Sequence, residues 1–330
     1  MKKYLLGVFM ILLTSMITVP QLAYAEQNHT FQVMVASHLN FNPEIKSYYD
    51  LIVTPGETVQ LPFKIENSGT GESTFELSFN PALTNRTGSI EYSGATDSQL
   101  VEGTPSIKEH AHLSQSNIRL KPGESKEFTL KITAPKEKFE GKIAGGVRIF
   151  QVPNNNATGN IRHTFSREIA VILQNEPTTI QPDIQFLKAN ISGETRRKYL
   201  LVDMANVAPV YLSRGKIDYT IRKGNETVLE QSKNLRLSPS TQFHYQIPLN
   251  DLHLIPGDYQ VDLTVTSETN TWHNTLNFAV KPEIAKAINT VNETTAPPLP
   301  YLTILLIGLI VVLLAVIILL LVKKKKIAHE

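Results

Sequence analysis

Side chains that could carry chemistry are scattered along this chain of 330 residues. His110 and His112, in the tripeptide HAH, would share one face of a strand, as a metal-binding pair requires. No third ligand stands nearby, and in a helix the two rings would diverge, so two exposed loop histidines are the alternative. The chain has no cysteine. That excludes thiol catalysis, disulfides and cysteine-ligated metals.

Known catalytic motifs are missing as well. The sequence contains no G-x-S-x-G, G-x-G-x-x-G, P-loop, H-E-x-x-H or calcium-loop pattern. Gly145 and Gly146 fall inside KIAGGVRIF, and two glycines within a strand indicate a bulge or close backbone packing. Carboxylates are plentiful, but no pattern pairs them. We therefore predict a binding protein without catalytic residues, metal or cofactor, and not an enzyme.

Three aromatic residues are the candidate binding residues. Tyr48 and Tyr49 precede the first strong strand, so one ring should point inward and the other outward. Tyr92 falls in a polar stretch, and Trp272, the only tryptophan, stands between two strands. Exposed rings serve sugar and protein interfaces, although packing in the core or at an edge is the alternative. We take Tyr48, Tyr92 and Trp272 as the candidates.

The positioning elements begin after an apolar N-terminus. Lys2 and Lys3 precede an apolar run that Pro20 ends, and Ala23-Tyr24-Ala25 has the small-x-small form of a cleavage site. This pattern predicts a secretory signal peptide over residues 1–25, cut between Ala25 and Glu26. An uncleaved membrane anchor is the alternative.

The C-terminus predicts a membrane span. Residues 301–322 carry no charge and would reach about 33 Å as a helix, enough to cross a bilayer. Four lysines follow and mark the cytoplasmic side; they are Lys323, Lys324, Lys325 and Lys326. The lysines disfavour a lipid-anchor tail, and APPLPYLT lacks the rest of an LPxTG sorting signal. Residues 282–300, rich in Thr, Asn and Pro near the span, predict an extended stalk.

The region between the two ends predicts β-sheet. Apolar residues alternate with polar ones at the strand period of two. The runs are Val59, Leu61, Phe63 and Ile65; Phe75, Leu77 and Phe79; Phe128, Leu130 and Ile132; Leu200, Val202 and Met204; Ile217, Tyr219 and Ile221; and Tyr259, Val261, Leu263 and Val265. One apolar face per strand is what an antiparallel sandwich needs.

A weak internal repeat favours two such sandwiches. TPGETVQLPFKI (54–65) aligns with KPGESKEFTLKI (121–132), and each Pro-Gly turn should launch a strand. EPTTIQP (176–182) suits a linker, and residues 80–118 suit an insertion in which DSQLVEG and SIKEHAHL could form short helices.

The predicted fold class is therefore all-β, with two tandem Ig-like β-sandwich domains and one C-terminal transmembrane helix. The predicted segments are a signal peptide (1–25), a first Ig-like domain (26–176), a second Ig-like domain (177–281), a stalk (282–300), a transmembrane helix (301–322) and a cytoplasmic tail (323–330). Without the terminal lysines and Glu330, the chain has 26 basic and 29 acidic residues. This balance argues against a nucleic-acid partner.

In this order, several stretches resemble the WxL-interacting protein family of Gram-positive bacteria. They are YYDLIVTPGETVQLPFKIEN (48–67), ALTNRTGSIEYSG (82–94), RLKPGESKEFTLKITAP (119–135), FEGKIAGGVRIF (139–150), REIAVILQN (167–175), LLVDMANVAPVYLSRGKIDYTI (200–221), LRLSPSTQFHYQIPL (235–249) and LIPGDYQVDLTV (254–265). One departure is LSPST, where the family pattern would have Asn-Ser after the proline.

The resemblance implies an N-terminal peptidoglycan-binding domain and a second domain that binds host or matrix proteins. It also implies secreted partners with Trp-x-Leu motifs, the WxL-domain surface proteins. The resulting prediction is a surface protein anchored in the cell membrane by one span, with its ectodomain in the wall and its C-terminus in the cytoplasm. Its partners would be peptidoglycan, WxL-domain proteins, a host extracellular-matrix protein and the lipid bilayer. A stand-alone adhesin and a chaperone-like or sensor ectodomain are the alternatives.

Overall fold

A computed structural model describes residues 30–153, 164–192, 198–249 and 252–294, together with 305–306, 308–310, 313–314 and 316–317. The predicted signal peptide, its cleavage site at Ala25 and Glu26, and the lysines 323–326 lie outside these residues. The described chain folds into two successive β-sandwiches, as the alternating pattern predicts.

The first sandwich is built from two sheets. In chain order its region contains β1 Phe31–Val35, β2 Tyr49–Ile52, β3 Thr58–Asn67, β4 Ser73–Pro81, β5 Leu83–Thr84, β6 Ile90–Glu91, β7 Gln99–Leu100, β8 Ala111–Leu113, β9 Asn117–Leu120, β10 Ser125–Thr133, β11 Ile143–Gln151 and β12 Ser166–Gln174. Sheet A has the order β1-β3-β10-β8, and sheet B has the order β2-β12-β11-β4-β9. Strands β5 and β6 form a separate ribbon.

The second sandwich follows an irregular segment at 175–183. Its strands are β13 Ile184–Ser192, β14 Tyr199–Asn206, β15 Leu212–Lys223, β16 Glu226–Leu237, β17 Thr241–Pro248, β18 Gly257–Thr266 and β19 Thr271–Val280, and helix α1 Pro282–Thr294 comes after them. Sheet C has the order β13-β14-β17-β7, and sheet D has the order β16-β15-β18-β19.

Each sandwich has its own hydrophobic core. All the alternating residues named above are buried except Val59, which packs at the edge of the first core. Phe63 and Phe128 stack with ring centroids 5.0 Å apart in the first core. Burial of one strand face against the opposite sheet is the main stabilising term in such a sandwich. The strand period predicted this correctly.

Two equivalent turns launch β3 and β10. Gly56 and Gly123 adopt φ of 76° and 72°. The next residue, Glu57 or Glu124, accepts a backbone N–H from the first turn residue, at 2.7 Å and 2.8 Å. The predicted turns are confirmed. However, β3 and β10 pair with each other in sheet A, so this repeat lies within one sandwich and does not mark two.

A buried asparagine is the device that the two sandwiches share. The Asn67 amide donates to the carbonyls of Gly71 and Leu120, and the Asn206 amide donates to those of Val210 and Ser238. Both side chains are fully buried. Each side chain binds the backbone near the turn that leads into β10 or β17. Leaving these buried polar groups without hydrogen bonds would reduce the stability of the fold. Ser240 occupies the turn position of Gly123 and has a φ of 44°.

Part of the predicted insertion leaves the first sandwich and docks on the second. We call residues 82–104 the arm. Its strand β7 pairs with β17 in antiparallel register, Leu100 opposite Thr241. DSQLVEG therefore forms a strand rather than the predicted helix, because its backbone completes the edge of sheet C. SIKEHAHL forms a short 3-10 turn, Ile107–His110, that leads directly into β8.

The arm is held by hydrogen bonds in a buried setting. Thr84, fully buried, accepts the backbone N–H of Ser238 at 3.0 Å through its hydroxyl. Its own N–H donates to the Thr241 hydroxyl at 3.3 Å. Further along, the Gly88 carbonyl accepts the N–H of Arg236 at 2.9 Å. The two sandwiches are thus joined both by the irregular segment at 175–183 and by the hydrogen bonds of the arm.

Residues 282–294 correct the predicted extended stalk, because they form α1. Ala285 is buried in the second core, and Ile284 packs against it. The Asn289 side chain bonds both the N–H and the carbonyl of Leu254 at 3.0 Å. The apolar face and this clamp favour a docked helix over an extended chain. Among the described residues, no helix has the length and apolar character needed to span a bilayer.

Replacing Thr84 with valine should destabilise the protein by about 1–3 kcal/mol, because the buried Ser238 N–H would lose its acceptor. Thermal unfolding of the full chain in non-ionic detergent measures this, with exposed Thr70→Val as the matched control. Equal melting temperatures for Thr84→Val and Thr70→Val would show that the arm contributes little.

Ser240→Gly should stabilise the protein by about 1 kcal/mol, because glycine relieves a left-handed backbone that serine disfavours. Gly123→Ser, in the equivalent turn of the first sandwich, should destabilise by a similar amount, since its added Cβ meets open space and only the φ matters. Chemical denaturation of both variants tests the pair. Shifts of the same sign would contradict the equivalence.

Candidate functional site

Two of the candidate residues lie together on the outer face of sheet B. Tyr48, just before β2, and Tyr92, just after β6, pack against a small buried patch with a third tyrosine, Tyr211. The patch consists of Ala82, Ala144 and Ile172. We call Tyr48, Tyr92 and Tyr211 the tyrosine cluster. It lies at the junction, since Tyr211 belongs to the second sandwich.

A glycine provides the seat for the Tyr92 ring. A Cβ on Gly146 would lie 2.5 Å from Cδ1 of Tyr92, so no side chain fits there. Gly145, on the inner face, leaves no room either, since its Cβ would lie 2.6 Å from the Phe79 ring. The close packing predicted for this glycine pair is thereby confirmed. The Tyr92 carbonyl also accepts the Asn80 amide at 2.9 Å.

The Tyr49 side chain points into the first core, whereas that of Tyr48 does not. Its side chain is fully buried, and its hydroxyl accepts the N–H of Ala36 at 2.9 Å and donates to the Pro62 carbonyl. Tyr48 is half-buried on the opposite face. The prediction of one ring inward and one outward is therefore confirmed.

A buried carboxylate adjoins the cluster. Asp50 accepts the Gln174 amide at 2.9 Å and lies 3.5 Å from the Lys142 ammonium. Its N–H donates to the Asn40 side chain at 2.8 Å. Asp50, Gln174 and Asn40 are all buried. Backbone contact also reaches the second sandwich here, because Lys142 donates its N–H to the Pro209 carbonyl at 2.7 Å.

Burial shifts the ionisation of the cluster phenols to higher pH. Burial raises the pKa of Tyr211 well above its ordinary value, and the nearby Tyr92 phenol raises it further. The pKa values of Tyr48 and Tyr92 are raised too, chiefly by burial. The Tyr211 hydroxyl oxygen is inaccessible and makes no hydrogen bond of normal geometry to the described residues.

Trp272 does not join the cluster. It lies on β19 opposite Val265 and packs, half-buried, against the second core. His110 and His112 are exposed, and among the described residues no three acidic or histidine side chains are placed to hold a metal ion.

The sequence analysis did not predict Tyr211 or Asp50 as residues of the site. Tyr211 directly precedes a strand, as Tyr48 does, but its contact with the first sandwich has no sequence signal.

The arrangement suits binding through aromatic and polar contacts. Aromatic rings with amide and carboxylate groups around them are what recognises a sugar, since rings pack on the C–H face while polar groups bind hydroxyls. The chemistry of the cluster is that of hydrogen-bonded recognition.

Two family models match the chain in succession. Residues 31–151 match the peptidoglycan binding domain of WxL Interacting Protein, and residues 156–290 match its host binding domain. The second match begins before β12, although β12 lies in sheet B of the first sandwich. No curated protein matches the chain.

The solved structures that match the chain are distant in sequence. A PapD-like domain of human CEP192 is 14% identical, covers 45% of this chain and 87% of that chain, and has a TM-score of 0.27. The Pseudomonas aeruginosa CupB2 chaperone is 10% identical, with 69% and 96% coverage and a TM-score of 0.29. The Salmonella enterica SafA pilin in complex with the SafB chaperone is 10% identical, covers 68% of this chain and 98% of that chain, and has a TM-score of 0.30. Scores this low carry no functional argument.

Both matching models describe binding domains, and their order is the order of the two sandwiches. A peptidoglycan-binding domain belongs at the cell wall, and a host-binding domain belongs on the cell surface. The chain is a member of the WxL-interacting protein family.

Proposed function

We propose that the protein is a membrane-anchored surface binder that holds peptidoglycan through its first sandwich and WxL-domain proteins through an open strand edge. The second sandwich would extend this grip to a host matrix protein. The observation that carries the proposal is the succession of the two family matches on two sandwiches that the arm locks together. The domain limits 26–176 and 177–281 belong to this proposal.

The peptidoglycan site that we propose is the tyrosine cluster. Tyr48 and Tyr92 lie within the stretch that matches the peptidoglycan-binding model, and both keep part of their rings accessible. The Lys142 ammonium, with its side chain 24% exposed, adds a charged group on the same face of sheet B, beside the buried Asp50 and Asn80. Rings and planar polar groups together suit an amino-sugar chain.

Anchoring is supported by residues 301–322. The described residues of this stretch are helical, and their apolar side chains are exposed, Leu305 at 70%. Such apolar surface is unfavourable in water and favourable in lipid. Lys323 to Lys326 would then remain in the cytoplasm, and the signal peptide over 1–25 would deliver the rest outside.

Strand β16 offers the edge for a WxL-domain partner. It has 12 residues, the most of any edge strand described, and only β15 pairs with it. Because Arg236 directs its N–H away from β15 toward Gly88, the alternate residues Asn234, Ser232 and Glu230 also present their backbone groups outward. An extended segment of the partner could add a strand there.

A free-standing adhesin is the alternative function, in which the host ligand is bound without a WxL-domain partner. The two differ in one requirement: only the first needs the β16 edge. An enzyme acting on the wall has no support from the described side chains.

Removing either partly exposed ring, Tyr48 or Tyr92, should weaken binding of the full chain, in non-ionic detergent, to insoluble peptidoglycan. We expect Tyr48→Ala and Tyr92→Ala each to reduce the association constant about 2- to 10-fold, the range for one aromatic contact. Gly146→Ala should act like Tyr92→Ala, because the added Cβ displaces that ring. Co-sedimentation measures the effect.

The matched controls are Tyr92→Phe, which keeps the ring, and Trp272→Ala, which alters the second core alone. Both should bind as the wild type does. If the alanine variants at 48 and 92 also bind peptidoglycan normally while remaining folded, the tyrosine cluster is not the site.

Glu230→Pro should abolish capture of a WxL-domain protein, because proline removes an outward N–H without breaking the bonds to β15. Glu230→Ala is the control and should capture normally. A pull-down with the full chain and a purified WxL-domain protein measures this. Retained capture by a folded Glu230→Pro variant would exclude the β16 edge as the docking site.

A further inference from the structure

An open groove lies on the junction end of sheet D, and Tyr211 is among the residues that line it. It consists of two adjoining cavities of about 440 and 310 Å³ that share Ser213, Arg214, Ser267 and Glu268 as lining residues. We call this continuous depression the junction groove. A chain-like ligand could extend along it from one cavity to the next.

A β-bulge shapes the groove. The register between β15 and β16 shifts between Leu212 and Gly215, so two consecutive residues, Ser213 and Arg214, leave the regular ladder. Gly215 has no space for a side chain, since a Cβ would lie 2.6 Å from Leu212. Because Gly215 has no side chain, it does not fill the groove. The bulge directs the Arg214 side chain outward, where it is 84% exposed.

The lining of the groove is predominantly cationic. Arg214, Lys216 and Arg236 all line it, and Glu268 is the one carboxylate among its described lining residues. Two of the cations have exposed ionic partners: Arg214 lies 3.1 Å from Glu268, and Lys216 lies 2.8 Å from Asp218. Exposed pairs of this kind are weak, so a stronger anion can replace the carboxylate.

Arg236 is placed for a ligand. Its backbone is fixed by the bond from its N–H to Gly88 of the arm, while its side chain is exposed and forms no ion pair with the described residues. A guanidinium provides a planar fork that matches the oxygens of a sulfate, phosphate or carboxylate. The arm therefore positions a free cation at the groove.

Most of the remaining lining residues are polar, although Pro182, Tyr211 and Leu212 also line the smaller cavity. Ser213, Asn234, Thr266, Ser267 and Thr269 contribute hydroxyl and amide groups, and Leu235 beneath them is buried. Such a surface binds hydroxyl-bearing ligands through direct or water-mediated bonds. The groove suits a hydrophilic ligand with repeated negative charges.

We propose that the junction groove binds a linear polyanionic chain, with Arg214 and Arg236 holding two successive anionic groups and Lys216 adding attraction. The shared chemistry is that of a sulfated glycan of host origin and of a phosphate-bearing polymer of the wall. This inference goes beyond the proposed function and uses neither Tyr48 nor Tyr92, although Tyr211 of the tyrosine cluster also lines the groove.

The test measures binding of the full chain, in non-ionic detergent, to a heparin oligosaccharide and to inorganic polyphosphate at low and physiological salt. Arg236→Glu and Arg214→Glu should each weaken binding of both probes at least about 10-fold, and binding should decrease as salt rises. Arg119→Glu is the matched control, an exposed arginine on β9 of the first sandwich, and should change binding less than 2-fold.

The tighter probe identifies the source: heparin indicates a sulfated glycan, and polyphosphate indicates a phosphate polymer. Normal binding of both probes by folded Arg236→Glu and Arg214→Glu would contradict the proposed binding site. An equal loss of affinity with Arg119→Glu would contradict it as well. Peptidoglycan co-sedimentation on the same variants should remain unchanged, so failure of the groove and failure of the tyrosine cluster are separately visible.

Discussion

The hydrogen bonds of the arm to the second sandwich are the constraint on which the rest of the structure depends. Thr84 exchanges bonds with Ser238 and Thr241 in a fully buried setting, where an unmade bond would be costly. Strand β7 then closes an edge of sheet C that would otherwise be open. The first sandwich therefore supplies a structural part of the second, and the two cores cannot reorient freely about the irregular segment between them.

Both candidate binding surfaces follow from that constraint. The ribbon that begins the arm carries Tyr92 onto Gly146, and the fixed approach of the second sandwich brings Tyr211 against the same patch. On the other side, Gly88 of the arm holds the backbone of Arg236 at the junction groove. A sugar-type surface and a cationic surface are thus positioned by one segment, on different sheets.

The alternation of apolar residues was sufficient to predict the sandwiches, the strand faces and the opposite directions of Tyr48 and Tyr49, because these depend on local geometry with a period of two. The Pro-Gly turns were equally local.

Three features of the structure depend on contacts between distant parts of the chain. DSQLVEG has no strand pattern and becomes β7 only because β17 offers an unpaired edge. Residues 282–294 become helical because Ala285 and Asn289 find partners in the second sandwich. Tyr211 reaches the cluster through a contact between sandwiches, which no spacing encodes. The serine in LSPST departs from the family pattern at a left-handed position, where asparagine is better tolerated.

Helix α1 has a mechanical consequence if the chain is anchored beyond it. A pull exerted on the wall-bound sandwiches against the membrane would enter the second sandwich through α1, whose contacts among the described residues include Ala285, Ile284 and the Asn289 clamp on Leu254. A short helix peeling from a core yields at lower force than strands sheared along a ladder of backbone bonds. The helix would release first under load, lengthening the tether while both sandwiches keep their shape and their grip.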